Sequence, residues 1–254
     1  MNIDELKKYN IFKEELLSLE LLKNQGFNNT SYLLKTSENF YVIRVFKSNS
    51  SVNISREFEF KIQKEAFKKN LCPKPIFLNE KFMIYKYQKG FHKTKLKSFE
   101  LKSLALKIKK LHQIKIKSKT YDVRNDLKFY EKRLKNHKNS LLISKSLKSL
   151  NLLKKYKKEF VLVHHDLNAK NIVFKNNEIK IIDWEYVGTN DRFFDLASIC
   201  VEFNLNKKEE KLLLKSYFKI LIKEHFQKLS YYKIIYKALC SLWFENYLLP
   251  IIED

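Results

Sequence analysis

The chain has 254 residues, 44% of them apolar, with only three Gly, three Pro and three Cys and a formal net charge of +23. That apolar content excludes intrinsic disorder, the scarcity of Gly and Pro argues against a flexible linker between domains, and no apolar run is long enough to span a bilayer. Cys72, Cys200 and Cys240 are odd in number and lack metal-ligand spacing, so free thiols in a reducing cytoplasm are expected rather than disulfides or zinc.

The charge invites a nucleic-acid reading, which its distribution weakens. Only five of the 51 basic residues are Arg, at positions 44, 56, 124, 133 and 192, and the lysines are spread along the chain instead of gathered in one arm. No specific nucleic-acid partner is expected; the Lys-rich stretch 132–158 could at most touch an anionic membrane surface, weakly and in a salt-dependent way. Residues 1–10 are too charged for a signal peptide.

In chain order, Gln25-Gly26-Phe27-Asn28-Asn29-Thr30-Ser31 leads into a strand-like run, Tyr32–Thr36. Read alone it is a hairpin turn; read as a loop approaching phosphates it has one Gly where several are usual, so Asn28 and Asn29 would take the strained positions and Ser31 would lend a hydroxyl. Phe40–Phe46 alternates like a strand and sets one cation, Arg44, among apolar neighbours. Residues 56–67 then have helical period, with Glu59, or less well placed Glu57, as an acid within reach of Arg44. Residues 82–87 are expected to be an edge strand and hinge, placing Tyr85 and Tyr87 before Gly90, and residues 101–116 a helix with Leu104, Ile108 and Leu111 on one stripe.

The most informative segment begins at the apolar run 160–163. His164-His165-Asp166-Leu167-Asn168-Ala169-Lys170-Asn171 has the form HxDxxxxN, in which the Asp can take a hydroxyl proton and the Asn reaches a metal. Residues 171–175 and 178–182 read as a hairpin turning at Asn176-Asn177, both suited to left-handed backbone. Pairing Lys175 with Glu178 gathers Ile172, Phe174, Ile179 and Ile181 on one face, whereas a one-residue slip mixes Lys180 into it. The favoured register sets Asn171 opposite Ile182 and brings Asn171 and Asp183 toward one cation, hard oxygen donors of the kind magnesium takes. Asp195 then opens a helix-like run, 196–203, which it could N-cap, and residues 206–249 read as two or three further helices.

With these residues on the page, the chain resembles the choline/ethanolamine kinases within the aminoglycoside phosphotransferase superfamily. The resemblance rests on HxDxxxxN, on Asp183-Trp184-Glu185-Tyr186, on Phe194-Asp195 downstream, and on Glu202 one helix further on. It implies an α+β, protein-kinase-like two-lobed fold, with a strand-rich N-terminal nucleotide lobe (1–87) and a mostly helical catalytic and acceptor lobe (88–254). It further implies ATP-dependent phosphorylation of choline or a related amino alcohol, with ATP and Mg²⁺ as cofactors. Asp166 would be the catalytic base and Asn171 and Asp183 the metal ligands. Asn29, Ser31, Arg44, Glu59, Tyr85 and Tyr87 would serve ATP; Asn168, Glu185, Tyr186, Glu202 and Trp243 would serve the acceptor. Asp195 would brace the catalytic loop, and Cys240 stands where a second Trp would complete an aromatic cage. Ethanolamine, thiamine and aminoglycosides remain as other acceptors, and an inactive kinase-like binding protein or a nucleic-acid binder as other classes.

Overall fold

The computed structural model describes residues 1–23, 25, 28–47 and 55–248. The chain divides into two compact units, one of residues 1–92 with 171–186 and one of residues 93–170 with 187–254.

The first unit opens with α1 (Ile3–Lys7), capped by Asn2, and continues through β1 (Leu16–Leu21), β2 (Asn29–Thr36), β3 (Phe40–Phe46), α2 (Arg56–Lys68), β4 (Pro75–Leu78) and β5 (Phe82–Lys86). The five strands form one antiparallel sheet in the order β1-β2-β3-β5-β4. Alternation along β3 divides its side chains between two faces. Tyr41 and Ile43 join Leu6, Leu34, Phe82 and Ile84 in a buried core, while Arg44 turns to the other face and meets Glu59 of α2. Residues 82–87 were expected at the sheet edge; β5 instead lies between β3 and β4, and β4, which begins at Pro75, takes the edge. A residue without an N–H is least costly there.

The second unit supplies α3 (Ser98–Leu111), α4 (Val123–Arg133), α5 (His137–Leu153) and β6 (Phe160–Val163). Helix α3 buries Leu101, Leu104, Ala105, Ile108 and Leu111 and stops earlier than its period suggested, at a C-cap, His112, whose ring is engaged by Tyr217 and Asp195.

The chain then returns to the first unit as the hairpin β7 (Ile172–Lys175) and β8 (Glu178–Ile181), paired Lys175 with Glu178 and Ile172 with Ile181. Ile172, Phe174, Ile179 and Ile181 are all buried, as the register required, and the opposite face is covered too, with Val173 and Lys180 buried and the Lys180 amine held by Asn70 and Glu178. Of the two turn residues, Asn176 alone is left-handed, at φ 44°. The Ile181 N–H donates to the Leu71 carbonyl at 2.8 Å, and Phe91 and Phe174 exchange two backbone bonds of 2.9 Å. These bonds extend the first unit past Tyr87 to His92 and make the hairpin part of it, so the chain is not divided by a single cut after residue 87.

Returning to the second unit, β9 (Gly188–Asp191) pairs with β6, and α6 (Phe193–Glu202), α7 (Lys207–Tyr217) and α8 (Lys223–Leu248) complete it. Helix α8 packs on α4, α5 and α6, and α3 on α7. Of the stretch expected to hold two or three helices, the described residues 206–248 hold two, the first started by a capping box between Asn206 and Glu209. A buried lysine, Lys228, ties α8 to the β6–β9 pair, its amine reaching the Lys157 carbonyl at 2.8 Å and Asp191 at 3.1 Å. No described helix is long and apolar enough to cross a membrane.

Candidate active site

Arg44 is the centre of a buried charge cluster in the first unit. Its NH2 donates to both oxygens of Glu59, at 2.6 and 2.7 Å, and its NH1 to Asp183 Oδ1 at 2.7 Å. A guanidinium suits this place because its planar fork serves two carboxylates at once. Burial opposes its charge, and Glu59, Asp183 and Glu185 more than offset that, holding its pKa above the ordinary arginine value. Arg44 Nε is buried and has no hydrogen-bond partner among the described residues, a donor available to a further anion.

A second arginine, Arg56, was read only as the first residue of a helix. In the structure its NH1 bridges Glu59 at 3.1 Å and Glu185 at 3.0 Å, its NH2 reaches Asn29 at 3.1 Å, and its guanidinium lies over the Phe46 ring. In a chain that writes nearly every surface cation as Lys, an Arg three residues before an acid on a helix was the available signal. Glu185 closes the network by accepting from Asn28 and Asn29, at 2.8 and 3.0 Å. Burial opposes its ionisation, but Arg44, the two asparagines and Arg56 hold its carboxyl below the usual range.

Several expected positions change with this network. Glu185, expected at the acceptor, is buried, and its two oxygens accept from Asn28, Asn29 and Arg56. Tyr186, also assigned there, is exposed, and its hydroxyl accepts from Asn28 at 2.8 Å. Asn29 is an extended strand residue paired with Phe46, not a left-handed turn residue. Ser31 pairs with Arg44 across β2 and β3, and its backbone N–H donates to Gln25 Oε1. Gly26 and Phe27 of the phosphate-loop segment lie outside the described residues. Tyr85 lines a small pocket with Gln63, Pro73, Asp183 and Trp184, where burial raises its phenol pKa. The Tyr87 N–H is given to the Phe40 carbonyl at 2.9 Å.

The hairpin brings together the two residues expected to hold a metal. The Ile182 N–H donates to the Asn171 carbonyl at 2.9 Å, so the residue opposite Asn171 is the one preceding Asp183. Asp183 turns out of the strand with φ 60°, a conformation costly for a residue with a Cβ and common where function sets the backbone. An amide oxygen and a carboxylate are hard donors that fit magnesium, which completes its shell with water and phosphate. Among the described residues no group of three His, Cys, Asp or Glu side chains is arranged for a metal.

In the second unit, the HxD loop is held from below. Asp195 Oδ2 accepts the His164 N–H at 2.9 Å and Oδ1 the His165 N–H at 3.1 Å, while His112 Nε2 contacts Oδ2 at 3.1 Å. Asp195 sits inside α6 instead of capping it, fully buried. Burial pushes its pKa up, but the hydrogen bond and charge of His112, with His164, bring it below the usual aspartate value. The loop bends at His165, φ 68°, whose ring packs edge-on against Tyr121 and Phe194. His164 is fully buried and its Nδ1 accepts the Asp166 N–H at 3.3 Å, a brace within the loop. Asn168 Nδ2 donates to Asp166 Oδ1 at 2.9 Å, and Asn168 Oδ1 accepts the Lys170 N–H, so Asn168 orients the Asp166 carboxylate.

Above this loop α6 and α8 contribute Glu202, Tyr236, Cys240 and Trp243. The Tyr236 hydroxyl donates to Glu202 Oε1 at 3.0 Å. Burial raises the Glu202 pKa, and this bond partly offsets it. Tyr236, Cys240 and Trp243 follow at helical spacing on one stripe of α8, and Trp243 stacks on Tyr247 with ring centres 5.6 Å apart. Surrounding protein, with Glu202 and Asp166 nearby, pushes the Cys240 thiol up to about 12.

A model of the choline/ethanolamine kinase family matches residues 19–228. The LicA homolog of Metamycoplasma hominis is 28% identical over 232 residues, 89% of this chain and 88% of that protein. A thiamine kinase of Escherichia coli shares 36% identity over 55 residues, 22% of this chain and 19% of its own. Among solved structures, choline kinase LicA from Streptococcus pneumoniae superposes with a TM-score of 0.80 at 22% identity, covering 96% of this chain and 90% of that one.

Proposed function

Because the chain belongs to the choline/ethanolamine kinase family of small-molecule kinases, we propose that it transfers the γ-phosphoryl group of ATP to the hydroxyl of choline, forming phosphocholine. The observation that carries this reading is the HxD loop of the second unit, whose backbone N–H groups are held by Asp195, and in the first unit a hairpin that ends beside Asn171 and Asp183 supports it.

Asp166 accepts the acceptor's hydroxyl proton late, since phosphoryl transfer has a loose transition state, and its main work is to orient that hydroxyl. Asn168 holds Asp166 in place and Asp195 holds the loop. Arg44, fixed by Glu59 and Asp183, offers its unpartnered Nε–H to phosphate oxygens, and Glu185 with Arg56 keeps Asn28 and Asn29 beside it. Asn171 and Asp183 are the residues that would hold Mg²⁺, which when bound offsets phosphate charge. Glu202 and Trp243 receive the acceptor's cationic end. The three free thiols support a reducing, cytoplasmic setting.

Ethanolamine is the second reading, favoured by one feature: Cys240 leaves a single indole on the stripe, and a primary ammonium can donate hydrogen bonds to Glu202. Coupled ADP release with Mg²⁺ over choline, ethanolamine, thiamine and kanamycin tests both. Highest kcat/KM for choline is expected; preference for ethanolamine selects the second reading, and preference for thiamine or kanamycin, or no turnover, overturns both.

A further inference from the structure

We propose that Tyr236 is a positioning residue for the acceptor's cationic group, acting by orienting the Glu202 carboxylate through its hydroxyl. The inference rests on the kinase reading above and adds a residue that reading does not use.

Tyr236 is buried on α8, with only 4% of its surface exposed, and a buried phenol O–H must find an acceptor. It finds Glu202 Oε1, 3.0 Å away on α6. Glu202 is half-buried, and among the described residues no Lys, Arg or His pairs with it. The more deeply buried carboxylates have cations: Glu59 has Arg44 and Arg56, Glu210 has Lys207 and Lys233, and Asp191 has Lys228. A carboxylate withdrawn from water with only a phenol for company carries an uncompensated charge, which a ligand cation would neutralise.

The place fits an acceptor's cation. Asp166 and Glu202 are linked through one helix of the second unit: Asp195 of α6 holds the loop that carries Asp166, and Glu202 ends that same helix. Cys240 lies one turn along α8 from Tyr236, and Trp243 follows on the same stripe. One oxygen of Glu202 is thereby tied back to α8 and its carboxylate plane is fixed. With one indole on the stripe, recognition of the cation depends more on the oriented carboxylate than on aromatic faces.

The test is a double-mutant cycle with Tyr236→Phe, Glu202→Gln and the double variant, assayed with the best acceptor of the panel. Phe keeps the ring and its packing, so thermal unfolding checks the fold. Tyr236→Phe is expected to raise the acceptor KM roughly three- to thirtyfold, the effect of losing a hydrogen bond to a charged group in part, with kcat within about twofold and the ATP KM unchanged. In the Glu202→Gln background the same change should have little further effect. An unchanged acceptor KM in Tyr236→Phe, or full additivity in the double variant, overturns the positioning role. If the best acceptor is thiamine or kanamycin, the choline reading falls while the cycle still tests Tyr236; no turnover of any acceptor overturns both.

Discussion

Arg44 NH1 donates to Asp183 Oδ1 at 2.7 Å, joining a strand of the sheet to the turn that leaves the hairpin, 139 residues later in the chain. The bond gives one side chain two tasks, neutralising buried acid and fixing a carboxylate expected to meet a metal. Arg44→Ala should therefore cost stability as well as activity. Removing one partner of a buried pair typically costs about 3–5 kcal/mol, because the remaining carboxylates keep their desolvation without their cation. Urea unfolding should show a loss of that order. Arg44→Lys should recover part of the stability but little of the ATP-dependent rate, since an ammonium cannot span Glu59 and Asp183 as a fork does. A lysine variant with a wild-type ATP KM would remove the phosphate role.

Asp166 is held by the Asn168 amide at 2.9 Å and is only partly buried. Asp166→Asn should leave the melting temperature within a few degrees while lowering kcat about 10²- to 10⁴-fold, the usual span of a positioned general base. Nucleotide titration should show unaltered ATP affinity. Normal turnover in this variant would end the catalytic assignment.

Chelation of divalent cations should abolish activity, and added Mg²⁺ should restore it. Asn171→Ala should raise the Mg²⁺ concentration for half-maximal rate, and Asp183→Ala should remove activity at any Mg²⁺ level tested. Full activity of either variant in EDTA would exclude the metal role of the hairpin.

The Asp195 carboxyl is held below its unfolded pKa of about 3.9. The unfolded chain thus binds more protons than the folded one in that window, so stability rises with pH there. The contribution is fully present above about pH 4 and is lost as pH falls through the depressed folded value. Asp195→Asn, which keeps the shape but weakens bonds to two backbone N–H groups and His112, should lower stability at pH 7 by about 2–3 kcal/mol. The gap between wild type and variant should narrow as melting is followed from pH 5 down toward pH 2.5. A constant gap would show that Asp195 does not titrate in this range.

Trp243→Ala tests the acceptor cage separately from Glu202. One cation–π contact contributes about 0.5–2 kcal/mol, so the choline KM should rise about two- to thirtyfold with the ATP KM unaltered. If choline KM is unmoved, Trp243 serves packing, including its stack with Tyr247, and not the acceptor.

How much of this was legible in the sequence depended on whether the controlling interactions were local. The β7–β8 register could be read because one pairing alone gathers Ile172, Phe174, Ile179 and Ile181, and a slip is penalised at every position. Strand β3 and helix α2 were legible from their periods, and the Arg44–Glu59 pair was expected through the family resemblance, which places a phosphate-binding cation at Arg44. The position of β5 inside the sheet was not, since strand order depends on which distant segment offers a free edge. The partners of Glu185 were not legible for the same reason: its neighbours in sequence, Trp184 and Tyr186, do not say which arginine it will meet.

By itself the sequence determined the two periodic hairpin strands, the HxD loop and the Asn171–Asp183 spacing, all built from backbone bonds and side-chain alternation over a few residues. Only the tertiary structure decided that Arg56 and Glu185 complete the Arg44 cluster and that Tyr236 reaches Glu202. A buried charge or hydroxyl must take whatever partner the packing brings within about 3 Å, and packing between distant segments follows from the whole core, not from any short stretch of chain.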